Sequence, residues 1–123
     1  MVQETINVQS PASPLDSFLA EIGEALGHPI RIAILRLVAQ GETCLCEIRP
    51  LFPVDESGLS RHLATLRRAG LLVARREGVR VLYNLASPRV IDLLDAGKAI
   101  ALNRASCLQG VIEGSREHAP TGE

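Results

Sequence analysis

The sequence predicts a mainly α-helical domain with a single β-hairpin, a winged helix-turn-helix. Three observations predict it. The apolar residues, 46% of the chain, are nearly all aliphatic, with two Phe, one Tyr and no Trp, which suits a core of packed helices. Between residues 43 and 70, two short amphipathic segments are separated by Pro53 and closed by Gly70, a helix-turn-helix pattern. Two strand-like segments then follow around Gly78. A chain of 123 residues accommodates one domain. Residues 14–109 are expected to form it, between a flexible N-terminal segment, 1–13, and a flexible tail, 110–123.

Pro14–Leu26 reads as the first helix, because Leu15, Phe18, Leu19, Ile22, Ala25 and Leu26 recur at helical spacing before Gly27. His28-Pro29 opens the second, with proline at its first position. Ile30, Ala33, Ile34, Leu37 and Val38 form its inner face, and Gly41 ends it. Thr43 is placed as N-cap of a short third helix, Cys44–Phe52, with Leu45, Ile48, Leu51 and Phe52 as its apolar set. Asp55 caps a fourth helix, Glu56–Ala69, which turns Leu59, Leu63 and Leu66 inward and ends at Gly70. Leu71–Glu77 and Arg80–Leu85 are the strands of the hairpin. Ser87-Pro88 starts a last helix that runs to about Leu108, with Val90, Ile91, Leu94, Ala101, Leu102 and Ala105 on a broad apolar face. The apolar faces of the first and last helices exceed what one small core needs, which points to a homodimer.

The N-terminus has neither a basic start nor an apolar run, and no apolar stretch is long enough to cross a bilayer. A cytoplasmic protein with no membrane partner is expected, and in that compartment thiols stay reduced. The net charge is −1, but its distribution is uneven. Seven arginines lie between Ser57 and Arg89 against one acid, Glu77. In the fourth helix Ser57, Ser60, Arg61 and Ala64 share the face opposite the leucines. Small hydroxyls and an arginine near a helix N-terminus suit a helix entering the major groove of double-stranded DNA. Arg67 adds charge to the same helix. Arg75, Arg76 and Arg80 flank the hairpin turn, where they suit the backbone or the minor groove. His62 either touches a phosphate or packs beneath the helix. No catalytic constellation is visible. Ser60 and His62 lie on one helix without an orienting carboxylate, and the Cys-x-Cys spacing is not the Cys-x-x-Cys of a dithiol oxidoreductase.

HPIRIAILRLVAQGETCLCEI, followed by LSRHLATLRRAGLL, RREG and VLYNL, resembles the ArsR/SmtB family of bacterial metal-sensing repressors over roughly residues 15–105. The resemblance implies a homodimeric winged helix joined through its first and last helices. It further implies binding to an imperfect palindrome in operator DNA, and release when an effector binds. Two departures stand out: Asp55-Glu56 replaces a common Ser-Gln, and Gly58 replaces a commonly larger residue. Acids at a helix N-terminus suit the helix dipole but repel phosphates.

Within that family, a Cys-x-Cys followed by an acid and an aliphatic residue marks arsenic- and antimony-sensing members, and Cys44-Leu45-Cys46-Glu47-Ile48 is similar. As(III) and Sb(III) are thiophilic, and a helix N-terminus favours the thiolate form that binds them. On a regular helix residues i and i+2 point about 200° apart. Cys44 and Cys46 are therefore expected to grip one ion only if the first turn unwinds or rotates, which would distort the third helix that supports the fourth. The third donor is open: Cys107 from the same or the partner subunit, a hydroxide or an external thiol. Some arsenic sensors place a third cysteine where this chain has Arg49. A thiol-based persulfide or redox sensor, or a cadmium or lead sensor of the same fold, remains an alternative. The last-helix site of the family's zinc sensors is not matched, because Asp92 and Asp95 have no histidine beside them and His118 lies in the tail.

Overall fold

The structure, a computed structural model, describes residues 13–117, with side chains through residue 110. The remaining residues of the predicted flexible ends, and His118, lie outside the described residues. The chain divides into two compact units after Ser87.

In the first unit α1 spans Pro14–Ala25 and α2 spans Pro29–Val38. Ser13 caps α1 through a reciprocal box: its Oγ accepts the Asp16 N–H at 3.1 Å, and Asp16 Oδ2 accepts the Ser13 N–H at 3.3 Å. His28 caps α2, its Nδ1 accepting the Ile30 N–H at 3.1 Å. A two-residue strand, β1 (Thr43–Cys44), leads into a single helical turn, α3 (Leu45–Ile48), and a 3-10 turn, Arg49–Leu51. Helix α4 covers Glu56–Arg68, and the hairpin strands are β2 (Leu72–Glu77) and β3 (Arg80–Leu85). The sheet order is β1-β3-β2, antiparallel throughout. Gly78 sits at φ 64° in the two-residue hairpin loop, a conformation that disfavours any side chain.

The core is aliphatic, as expected. Ile34 and Leu35 of α2, Ile48 of α3 and Leu66 of α4 are wholly buried, and Leu59, Leu63, Leu71, Leu72, Leu82 and Tyr83 close around them. On α1 only Ala25 is buried, while Leu15, Phe18 and Leu19 stand 74%, 62% and 61% exposed, an uncovered apolar stripe. The second unit is α5, Arg89–Glu117. Val90 is buried at its start, and Ile100, Leu102 and Leu108 are exposed further along.

Two expectations are corrected. The last helix continues past Leu108 to Glu117. The third helix is shorter than predicted at both ends. Thr43 and Cys44 are strand residues, and Pro50, which has no N–H to donate, limits the α-helical turn. Thr43 is not the cap, since its hydroxyl donates to the Gly41 carbonyl at 2.7 Å. Leu66→Ala, which empties a wholly buried site, should destabilise the fold by about 2–5 kcal/mol in urea unfolding.

Candidate nucleic-acid interface and cysteine pair

Helix α4 sets an exposed polar face over an apolar underside. Asp55 starts it, with Oδ1 accepting the Gly58 N–H at 2.9 Å. A Cβ on residue 58 would lie 2.7 Å from that same oxygen, so the glycine lets the cap close. Ser57, Ser60, Arg61 and Arg67 are exposed, and Leu59, Leu63 and Leu66 are buried, as the spacing predicted. Glu56, the acid expected to oppose phosphates, pairs with Arg49 at 3.1 Å across the helix-turn-helix. His62 is half-buried, its ring 4.4 Å from that of His28. Burial, then the charges of His28, Arg31 and Arg61, push its pKa below the ordinary 6.5.

The hairpin sorts the remaining arginines. Neighbours on a strand point to opposite faces, so Arg75 and Arg76 are separated. Arg75 is in register with Leu82, and Leu82 with Cys44, which puts Cys44, Leu82 and Arg75 in one row across the sheet. On that face Arg75 donates from Nε and Nη2 to the two carboxylate oxygens of Glu42, at 2.6 and 2.8 Å. Asn84 Nδ2 donates to the same carboxylate at 2.7 Å. Glu77 lies 3.7 Å from Arg75 and 3.6 Å from Arg80. Among the described residues Arg61, Arg67 and Arg76 have no carboxylate partner. The Arg75 hydrogen bonds, then that of Asn84, hold the Glu42 carboxyl at about 2, against an ordinary 4.5.

Cys44 is the cap of α3 with extended backbone, φ −75° and ψ 143°. Its N–H donates to Glu47 Oε1 at 2.8 Å, and its Sγ accepts the Cys46 N–H at 3.2 Å. Cys44 is buried and Cys46 exposed. Their Cα atoms are 5.1 Å apart and the structure joins their sulfurs as a disulfide. The opposed directions expected of the pair, and the unwinding they demanded, are therefore corrected. The 200° argument assumes two helical residues, and only Cys46 is one. Cys107 is a free, exposed thiol on α5. Among the described residues no group of three or more His, Cys, Asp or Glu side chains gathers as a metal site.

Residues 28–73 match the family model described as bacterial regulatory protein, arsR family. Across 106 residues the chain is 33% identical to the uncharacterized HTH-type transcriptional regulator Rv0081 of Mycobacterium tuberculosis, covering 85% of this chain and 93% of that one. The chain belongs to the arsR family of bacterial regulatory proteins. It is a DNA-binding transcriptional regulator with a winged helix-turn-helix, and its family is not one of enzymes. The crystal structure of Rv0081 superposes on this regulator with a TM-score of 0.70, over 77% of this chain and 96% of that one at 33% identity. The solution structure of the homodimeric winged helix-turn-helix DNA-binding domain of Mb0332 from Mycobacterium bovis gives 0.61, over 93% and 99% at 29% identity. The arsenic resistance transcriptional regulator ArsR1 of Pseudomonas putida is 36% identical over 95 residues, 76% of this chain and 66% of that one.

Glu42 and Asn84 were not singled out in the sequence. Neither carries a local signal, and they meet Arg75 only because the sheet brings together residues 33 and 42 positions from Glu42. Two titrations follow from the electrostatics. Glu42 has a depressed pKa, so its contribution to stability is complete above pH 4.5 and is lost as pH falls through about 2. Carboxyl NMR should place its midpoint near 2, and Arg75→Gln should move that midpoint up towards 4.5. His62 also has a depressed pKa, so the folded state takes up a proton less readily than the unfolded one. Stability should be complete above pH 6.5 and decline on acidification below it, and His62→Gln should flatten the decline in thermal melts.

Proposed function

We propose that this regulator is a homodimeric repressor that leaves an imperfectly palindromic operator when Cys44 and Cys46 bind As(III) or Sb(III). One observation carries the reading: the two sulfurs lie together where β1, which pairs with the wing strand β3, runs into α3. Two adjacent thiolates suit a soft, thiophilic ion. The similarity of Cys44-Leu45-Cys46-Glu47-Ile48 to arsenic-sensing members and the likeness to ArsR1 support the same effector. The third place falls to a hydroxide, an external thiol or Cys107. DNA is met by Ser57, Ser60 and Arg61 in the major groove, and by Arg67, Arg76 and Arg80 at phosphates. His62 contributes only the part of its ring that His28 leaves open. The uncovered stripe of Leu15, Phe18 and Leu19 on α1 and the exposed Ile100, Leu102 and Leu108 on α5 supply the apolar surface a dimer needs. Among the described residues no helix is long and apolar enough to cross a membrane, and a cytoplasmic location goes with this reading.

In this mechanism Cys44 acts through the sheet. Its neighbour across β1 is Leu82, and the next residue in the row is Arg75, so a displaced Cys44 moves the wing. A population shift away from the DNA-competent form needs only this difference in contacts.

A second reading uses the same pair, and the closeness of the two sulfurs suits it as well. Oxidation of the two thiols by hydrogen peroxide forms one S–S bond and releases two waters, so oxidation state would replace arsenic as the signal. DNA selected by the wild-type protein from a random pool supplies the probe for both. Arsenite at micromolar concentration should release the reduced wild type, whereas Cys44→Ser and Cys46→Ser should bind DNA and ignore arsenite. A normal response by Cys107→Ser excludes that thiol from the site. Release by peroxide alone, with the disulfide seen by mass spectrometry, selects the second reading.

A further inference from the structure

We infer that Glu42 is the residue that positions the wing, and that Arg75 serves as its partner, not as a DNA contact. Three hydrogen bonds converge on one carboxylate, two from Arg75 and one from Asn84. The Arg75 pair is a two-point fork, which fixes orientation as well as distance. It joins the segment before β1 to β2, the far strand of the sheet, while Asn84 ties in β3 between them. All three strands are thus pinned near one level, three residues before the start of the hairpin loop on the β2 side and on the same face as Glu77 and Arg80. An arginine held at both Nε and Nη2 has little left for a phosphate. Arg76, on the opposite face and without a carboxylate partner among the described residues, keeps its full charge for DNA. The clamp therefore aims Arg76 while withholding Arg75. Exposed ion pairs contribute little to stability, so geometry is the consequence of this one.

The test is a double-mutant cycle in DNA binding, using full-length protein and a labelled duplex selected by the wild type from a random pool. Affinity is measured by fluorescence anisotropy across a range of salt concentrations, beside thermal melts. Glu42→Gln and Arg75→Gln should each weaken binding about tenfold at physiological salt and lower the log–log salt slope by about 1, the contribution of one phosphate contact. The double variant should be no weaker than either single one, because both substitutions open the same clamp. Asn84→Ala, which leaves the fork in place, should shift binding in the same direction by less, and serves if Glu42→Gln does not fold. A lowered slope in Arg75→Gln with an unchanged or steeper slope in Glu42→Gln would overturn the inference, because Arg75 would then itself be a phosphate contact. Additive losses, or melting shifts with both salt slopes unchanged, would overturn it as well.

Discussion

The pairing of Thr43 with Tyr83 and of Cys44 with Leu82 is the constraint on which the site depends. It is only two residues long, yet it takes Cys44 out of the helix and into the sheet. From there its backbone is extended and its sulfur faces the first turn of α3 instead of the side away from Cys46. The same pairing makes the hairpin a three-stranded sheet with Cys44 on one edge strand and Arg75 on the other. Cys44 and the wing are therefore parts of one hydrogen-bonded sheet.

The forces that hold the unit together differ from those that orient it. Ile34, Leu35, Ile48 and Leu66 are wholly removed from water, and each such side chain contributes about 1.5–3 kcal/mol of burial. These residues bind α2, α3 and α4 into one core. The polar contacts on the sheet lie at the surface, where solvent screens them. Their role is directional: a bidentate fork and an amide on one carboxylate allow only a narrow range of strand positions. A wing oriented by exposed groups can be shifted without unfolding the core beneath it, which a regulator needs if it is to leave DNA and return.

Much of this was legible from periodicity. The leucines of α4, the cap at Asp55, the hairpin around Gly78 and the proline start of α2 are local signals, and each fell where its spacing put it. The errors lie where a local signal competed with a distant partner. Thr43 and Cys44 both read as possible starts of a helix, and the choice between them is made by Tyr83 and Leu82, about 40 residues away. The Cys44–Glu47 capping box was present in the sequence but was masked by the better-known capping residue beside it. Glu42 offered no signal at all, being one acid in a loop until the sheet forms. The α1 stripe was legible as an apolar face in excess of one small core, and Leu15, Phe18 and Leu19 are exposed.

Charge shows the same division between count and context. Seven arginines between Ser57 and Arg89 read as one basic patch. In the structure Arg75 answers to Glu42, Arg80 to Glu77 and Arg89 to Asp92, which leaves Arg61, Arg67, Arg68 and Arg76 without acidic partners among the described residues. The acid that looked least suited to a DNA-facing helix, Glu56, is matched by Arg49 at 3.1 Å. That pair joins the two arms of the helix-turn-helix, so an acid at the start of α4 can serve the helix dipole with its repulsion of phosphate offset by a neighbouring guanidinium. The same arginine stands three residues after Cys46, where a third thiol would otherwise fit. If the proposed soft-ion site holds, a chain that uses this position to balance Glu56 takes any third donor from elsewhere.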